Sequence, residues 1–545
     1  MRGSLQWVGF GIAAALLAAG LGPERAQAFC GFYVAGGNAE LFADATSVVM
    51  MREGTTTVLS MQNDYRGPPE NFALVVPVPE VLDETRVKTL SREVFARVDQ
   101  LASPRLVEYW EQDPCAPPVR RHPRRMRMRS SGATMTSARP GGADLGVTVE
   151  AEFAVGEYQI VILSAEDSSG LDTWLRQEGY NIPSGAEPRL RPYVEGGSKF
   201  FVARVDVSKV TFGEEGIAQL SPLRVHYTSE RFELPIRLGL VNAGGAQDLI
   251  VPVLARDQRY ELANRPNVTI PTNLDVAESV RERFGPFYVA LFDETVRQNP
   301  NAVVTEYAWQ ATNCDPCPGP VLSMQDLTTL GADVVAPGQA VVSPRPTRPS
   351  RGFRRSRGWG SNFVLTRLHA RYTADAVEDD LVFRAAEPIV GGREFLNDVD
   401  HLEEGARPSH ANNFQGRYAI RHAWEGPIAC EAPMRNRWGG PPAGTEAPGT
   451  ATAQNLAYAP RGSVRLPEVV RSPIPELGLT GSDVAAAGAV LGGGLEAAAA
   501  ADEIPAPPEG DEAAGCGCRT GSGAHGLWFG ALALLWGARR RGEVR

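Results

Sequence analysis

The first 28 residues decide where the rest of the chain folds. Arg2 precedes an apolar run from Val8 to Leu21 and then Ala26-Gln27-Ala28, the charged, apolar and small-residue order of a secretory signal peptide. As a helix the run spans roughly 21 Å, short of the roughly 30 Å hydrocarbon core of a bilayer, so it reads as a cleaved signal rather than an anchor. Signal peptidase is expected to cut between Ala28 and Phe29. Phe29 stands where a lipobox needs a small residue, so lipid is not expected on Cys30. The chain beyond residue 28 then folds outside the cytoplasm, where paired thiols oxidise.

The other end points to the same compartment. Gly515-Cys516-Gly517-Cys518 is followed by a glycine-rich step, the apolar run Gly526 to Ala538, and Arg539-Arg540-Arg541. This order of parts resembles the C-terminal sorting tag of surface proteins of myxobacteria and their relatives. The resemblance implies cleavage by a sortase-like intramembrane protease and lipid attachment at Cys516 or Cys518. An ordinary single-pass tail, its arginines held in the cytoplasm, is the alternative reading of residues 516–545. Both leave the body outside the inner membrane, at the cell envelope and in the first case on its outer surface. Residues 441–515, rich in Ala, Gly and Pro with no apolar period, read as a disordered stalk.

Between signal and stalk, composition describes a folded body. Of 545 residues 43% are hydrophobic and 22% charged, enough for an ordinary core, and the formal charge of −10 argues against a nucleic-acid partner. The 57 glycines and 42 prolines favour turns over long helices. Alternation of Thr57, Leu59 and Met61 with polar Thr56, Ser60 and Gln62 predicts a hairpin with Ser47–Arg52 through the Glu53-Gly54 turn. Further strands are predicted at 72–78, 158–163, 201–207, 223–228, 250–254, 303–309, 363–372 and 381–384. Helices are predicted from Val87 to Leu101, stopped by Pro104, over Leu171 to Glu178 with Ser168 or Ser169 as cap, and from Phe287 to Arg297.

The fold class is therefore α+β and β-rich: antiparallel sheets, a few packed helices, a disordered stalk and a C-terminal membrane segment. A faint duplication allows two related lobes. Val75-Val76-Pro77-Val78, Tyr109-Trp110 and Asp113-Pro114-Cys115 return as Ile250-Val251-Pro252-Val253, Tyr307-Ala308-Trp309 and Asp315-Pro316-Cys317. The lobes would be residues 29–190 and 191–440, each carrying an arginine-rich, acid-free insertion, at 119–141 and 336–360. Guanidinium forks there suit anionic polymers, but in an acidic protein solvated surface is the simpler reading.

Chemistry is harder to find. Of the cysteines, Cys30, Cys115, Cys314, Cys317 and Cys430 belong to the body, and disulfides are their expected state. Cys314 and Cys317 have the spacing of a zinc or redox pair, but no second ligand pair accompanies them and Pro318-Gly319-Pro320 follows where a redox pair needs a helix. His369 shares a strand face with Arg367 and Arg371, and charge pairing with the acidic group Asp375 to Asp380 is expected. Asp398, Asp400, Glu403 and Glu404 lack the spacing of a calcium loop. Trp110, Trp309, Trp424 and Trp438 are expected to pack beside the cysteine-linked segments. No catalytic, metal or cofactor set emerges.

Several segments together resemble one family: Cys30-Gly31-Phe32-Tyr33, Phe72 to Pro79, Val155-Gly156-Glu157-Tyr158 through Gly179-Tyr180, Phe363 to Arg367, and Asp379 to Phe383. They look like bacterial exported proteins of the domain of unknown function 2330 family. The chain departs from that pattern at Val34, where a second cysteine is expected, and in the two arginine-rich insertions. The family has no established activity, so the resemblance transfers no site residue. The expectation is an envelope-anchored, non-catalytic ectodomain that binds or scaffolds an envelope partner; the alternative is an extracellular hydrolase whose site is invisible in sequence.

Overall fold

The computed structural model describes residues 32–34, 42–66, 73–116, 147–212, 218–242, 246–337, 363–373, 379–394 and 402–480, apart from 181, 183–184, 446–447, 455 and 457–460. These residues form one compact unit. The expected signal site at Ala28 and Phe29, Cys30, the arginine-rich insertion 119–141, residues 338–360 of the second insertion, Asp398, Asp400, Cys516 and Cys518 lie outside them.

The hairpin forms as its alternation demands. Strands Phe42–Glu53 and Thr56–Arg66 pair around Gly54, whose φ of 55° suits a tight turn. They enter a thirteen-stranded sheet in which Phe42–Glu53 lies parallel to Gln247–Arg256, followed by Phe363–Tyr372 and Val303–Gln310 in antiparallel order. A second, five-stranded sheet packs across one face and contains Ala73–Val78, Lys199–Val205, Tyr158–Ala165 and Val147–Val155. Leu74, Val76, Ile160, Ile162 and Phe201 meet Val48, Met50, Leu59, Val251 and Val253 between the two. Helices Ser168–Gln177 and Ala186–Glu195 cover the outer face of the second sheet through Leu171, Leu175 and Leu190.

The opposite face of the large sheet is covered by helices. Ser91 caps Arg92–Ala102, which buries Val94, Phe95, Val98 and Leu101 beside Met51, Trp309 and Leu365. The helix starts later than its apolar period suggests, because Val87–Thr89 is a strand paired with Leu223–Val225. Phe284–Gln298 covers the neighbouring region with Phe287, Tyr288 and Phe292. A small sheet completes the body: Leu274–Asp275, Arg417–His422 and Arg105–Glu111 run parallel, and Trp438–Gly439 closes one edge.

Two organisational expectations change. The second sheet draws on both sides of residue 190, since Lys199–Val205 pairs with Tyr158–Ala165 and Ala73–Val78. The two halves of the faint duplication lie in different sheets: Ala73–Val78 and Arg105–Glu111 in the smaller ones, Gln247–Arg256 and Val303–Gln310 in the largest. The stalk does not begin at 441. Leu456, Leu466, Val470, Ile474 and Leu477 are buried against Phe284, Phe287 and Tyr418. Leu466, Val470, Ile474 and Leu477 recur at steps of four and three, but Pro467, Pro473 and Pro475 break the stretch into the short turns Leu466–Val469 and Pro475–Leu477, so it carries no continuous helix.

Candidate functional site

Two histidine–carboxylate constellations and one anchored loop are the places where chemistry-bearing side chains converge. The first is buried. Phe363, Leu365, Arg367, His369 and Arg371 alternate onto the helix-covered face of their strand. Opposite them the register of Val303–Gln310 slips between Thr305 and Tyr307, leaving Glu306 as the extra residue of a bulge. Bulges re-aim side chains, and Glu306 meets both basic groups: Arg367 Nε donates to it at 2.6 Å and His369 Nδ1 lies 2.7 Å away. Tyr288 donates a third bond, at 2.7 Å.

The network spreads to four carboxylates. His369 Nε2 is 3.3 Å from Asp248, which also accepts Arg371 Nε at 3.0 Å as its direct cross-strand neighbour. Arg367 reaches Asp99 on the Arg92–Ala102 helix at 2.5 Å, and Arg371 reaches Asp293 at 2.6 Å. Arg461 bonds both Asp248 and Asp293. Phe292 stacks on the imidazole at 3.7 Å. Burial alone would discharge His369, but Glu306 and Asp248 push its pKa up to about 9. Burial likewise opposes ionisation of Glu306, yet His369 and Arg367 bring it down to about 2. With His369 protonated, Asp99, Asp248, Asp293 and Glu306 balance Arg367, His369, Arg371 and Arg461. The pocket beside Arg371 is lined by Ile236, Asn301, Ala370, Tyr372 and Leu381 rather than by Glu306, His369 or Asp248.

Charge pairing at His369 is thus correct in kind, with different partners. Asp380 instead accepts from Tyr193, the Ile236 backbone and Arg237, while 374–378 lie outside the described residues.

The second constellation reaches the surface at the carboxyl ends of the parallel strands. His422 Nε2 lies 2.8 Å from Glu108, which also binds Arg281, and Trp110 stacks on the imidazole at 4.7 Å. Burial raises the Glu108 pKa, but Arg281 and His422 outweigh it and hold the carboxyl below its ordinary value. The His422 side chain is 20% exposed.

His422 leads directly into the loop 423–437, whose two ends are tied by one carboxylate. Glu111, 3% exposed, accepts the Trp424 N–H at 3.0 Å, the Asn436 N–H at 2.8 Å and a bidentate fork from Arg435 at 2.7 and 2.8 Å. Against the cost of burial these donors keep its carboxyl below the usual range. The middle of the loop is fixed by the disulfide Cys115–Cys430, with Cα atoms 5.6 Å apart. Met434 N donates to Pro114 O at 2.8 Å. Of the tryptophans expected beside this tether, Trp110 stacks on His422 and Trp438 packs against Val107, Tyr109, Leu402 and Ala419, with Arg421 over its ring at 5.1 Å.

Cys314 and Cys317 form the second disulfide. Their loop is pinned by Arg105 to Pro316 O at 2.8 Å and by Gln415 to Asp315 O at 2.8 Å; Trp309 shares the buried cluster of Cys314. Glu403, one of the acidic residues weighed for calcium, is bound by Arg393 and Arg407. Among the described residues no group of three or more His, Cys, Asp or Glu side chains is placed to hold a metal ion.

Sequence reasoning missed Glu306 and Glu111. Glu306 had a signal: it is the sole charge in Val303-Val304-Thr305-Glu306-Tyr307-Ala308-Trp309, and a charge in a buried strand needs partners. Glu111 had none, because its partners lie more than 300 positions away.

The chain belongs to the family described as uncharacterized protein conserved in bacteria (DUF2330), whose model matches residues 24–384. No curated protein and no solved structure matches it. The matched span ends before the clamped loop, the Arg417–His422 strand and the buried turns of 456–477.

Proposed function

We propose that this family member is an exported, envelope-anchored ectodomain that binds or scaffolds other surface components without turning over a substrate, and that it does so through the loop 423–437. The observation that carries the reading is the double anchoring of that loop, by Glu111 at both ends and by Cys115–Cys430 in the middle. A surface segment held this firmly presents its side chains at little further entropic cost, which favours recognition. The signal segment and the cysteine-bearing tail agree with display at the envelope. The Glu306–His369–Asp248 constellation supports the reading from the other side, because every member is buried and spent on structural partners.

An extracellular hydrolase is the second reading, favoured by one feature: His422 and Glu108 form an imidazole–carboxylate pair whose imidazole is 20% exposed, the geometry of a positioned base. The two separate in one assay. The full-length protein is incubated with ester, phosphoester, glycoside and peptide substrates beside its His422→Ala variant. Rates equal to buffer for both are expected; turnover by the wild type that His422→Ala abolishes would establish the hydrolase.

A further inference from the structure

We infer that the loop 423–437 docks a protein whose contact surface sets basic side chains around an apolar pocket. This rests on the binding reading above and adds the partner's chemistry. Among the described residues four large hydrophobic side chains are exposed, and two of them, Ile428 and Met434, at 44% each, lie on this loop. Pro427, Ala429, Ala432 and Pro433 are exposed beside them. Met and apolar anchors on a preorganised segment are the composition of a protein interface centre.

The charge on the loop selects the sign of the partner. Its arginines are committed: Arg435 to Glu111, and Arg437 to the carbonyls of Asp113 and Met434. Glu425 and Glu431 are exposed and make no ion pair with any described residue. Arg437 keeps its charge, because carbonyls do not neutralise it; among the described residues the charges without an ion pair beside Ile428 and Met434 are then two carboxylates, Glu425 and Glu431, against one guanidinium, a negative balance that favours lysine or arginine at the rim of an apolar contact.

The test places p-benzoylphenylalanine at position 428 of the full-length protein, in envelopes of cells that make it, with the same label at exposed Val81 as background. The expected result is an adduct with one protein, its cross-linked peptide bearing Lys or Arg, that falls about tenfold in the Glu425→Lys/Glu431→Lys background, a loss of ~1.4 kcal/mol. Unchanged melting of that variant shows that the fold is intact. A protein adduct indifferent to charge reversal overturns the inference. An adduct with polysaccharide overturns the partner class while leaving the loop as a binding site; no adduct above the Val81 background overturns the binding reading as well.

Discussion

Glu306 Oε1 and His369 Nδ1 lie 2.7 Å apart in a layer sealed from solvent, one on a bulge and the other on the neighbouring strand. The proton between them is part of the fold. His369 has its pKa pushed up to about 9 from an ordinary 6.5, so its contribution to stability is complete below the lower value and is lost as pH rises through the higher one. The unfolding free energy from urea titrations should fall between pH 6.5 and 9.5, by about 3 kcal/mol at most. His369→Gln should flatten that slope; a profile as steep as the wild type's would assign it to another group.

Removing Glu306 leaves Arg367 and His369 facing each other without their shared anion. Glu306→Gln should cost about 3–5 kcal/mol, the usual penalty for breaking a buried pair. Tyr288→Phe, which deletes only a hydroxyl donor to the same carboxylate, should cost about 1–2 kcal/mol. Chemical denaturation of both variants at pH 7 ranks them.

The segment 448–480 should behave as core. Truncation after residue 440 exposes the surfaces of Phe284, Phe287 and Tyr418 that Leu466, Val470 and Ile474 cover, so the shortened chain should bind a hydrophobic dye and melt early. Truncation after 480 should leave melting unchanged. Arg461→Ala, which removes one of the two arginines shared by Asp248 and Asp293 and leaves them Arg371, should lower stability by about 1–3 kcal/mol, less than a fully buried pair because Arg461 is partly solvated.

These outcomes trace what a sequence can and cannot disclose. Leu223–Thr228 is legible to the residue because Leu223, Val225 and Tyr227 alternate with Arg224, His226 and Thr228, whereas Phe363–Tyr372, buried on both faces, is legible as a short run rich in apolar, aromatic and β-branched residues. His369 is legible as a member of a charged strand face, but not Glu306 opposite it, since a bulge is a register event between two distant strands. The turns of 456–477 escape because Pro467, Pro473 and Pro475 punctuate the steps of four and three between Leu466, Val470, Ile474 and Leu477, in a stretch whose Ala, Gly and Pro content reads as a stalk. The Glu111 clamp escapes for a different reason: half of its bonds come from backbone N–H groups, which any residue supplies, and the rest from Arg435, 324 positions away.

Thiol state tests the covalent half of that clamp. Alkylation of the unreduced, denatured protein should leave Cys115, Cys430, Cys314 and Cys317 unmodified, as the two disulfides require. Label on Cys115 and Cys430 together would remove the tether.

The most direct test of the whole account is a binding isotherm of the purified full-length protein on envelope vesicles from cells that lack it, for the wild type and for Glu111→Ala combined with Cys115→Ser and Cys430→Ser. Both anchors of the loop are then released, while the Glu306–His369 layer is untouched. The account predicts saturable binding by the wild type and an affinity at least about tenfold weaker for the unclamped loop, equivalent to ~1.4 kcal/mol, measured below the variant's melting transition, which itself falls because the disulfide closes a loop of 315 residues. Equal affinity of the two proteins would contradict it.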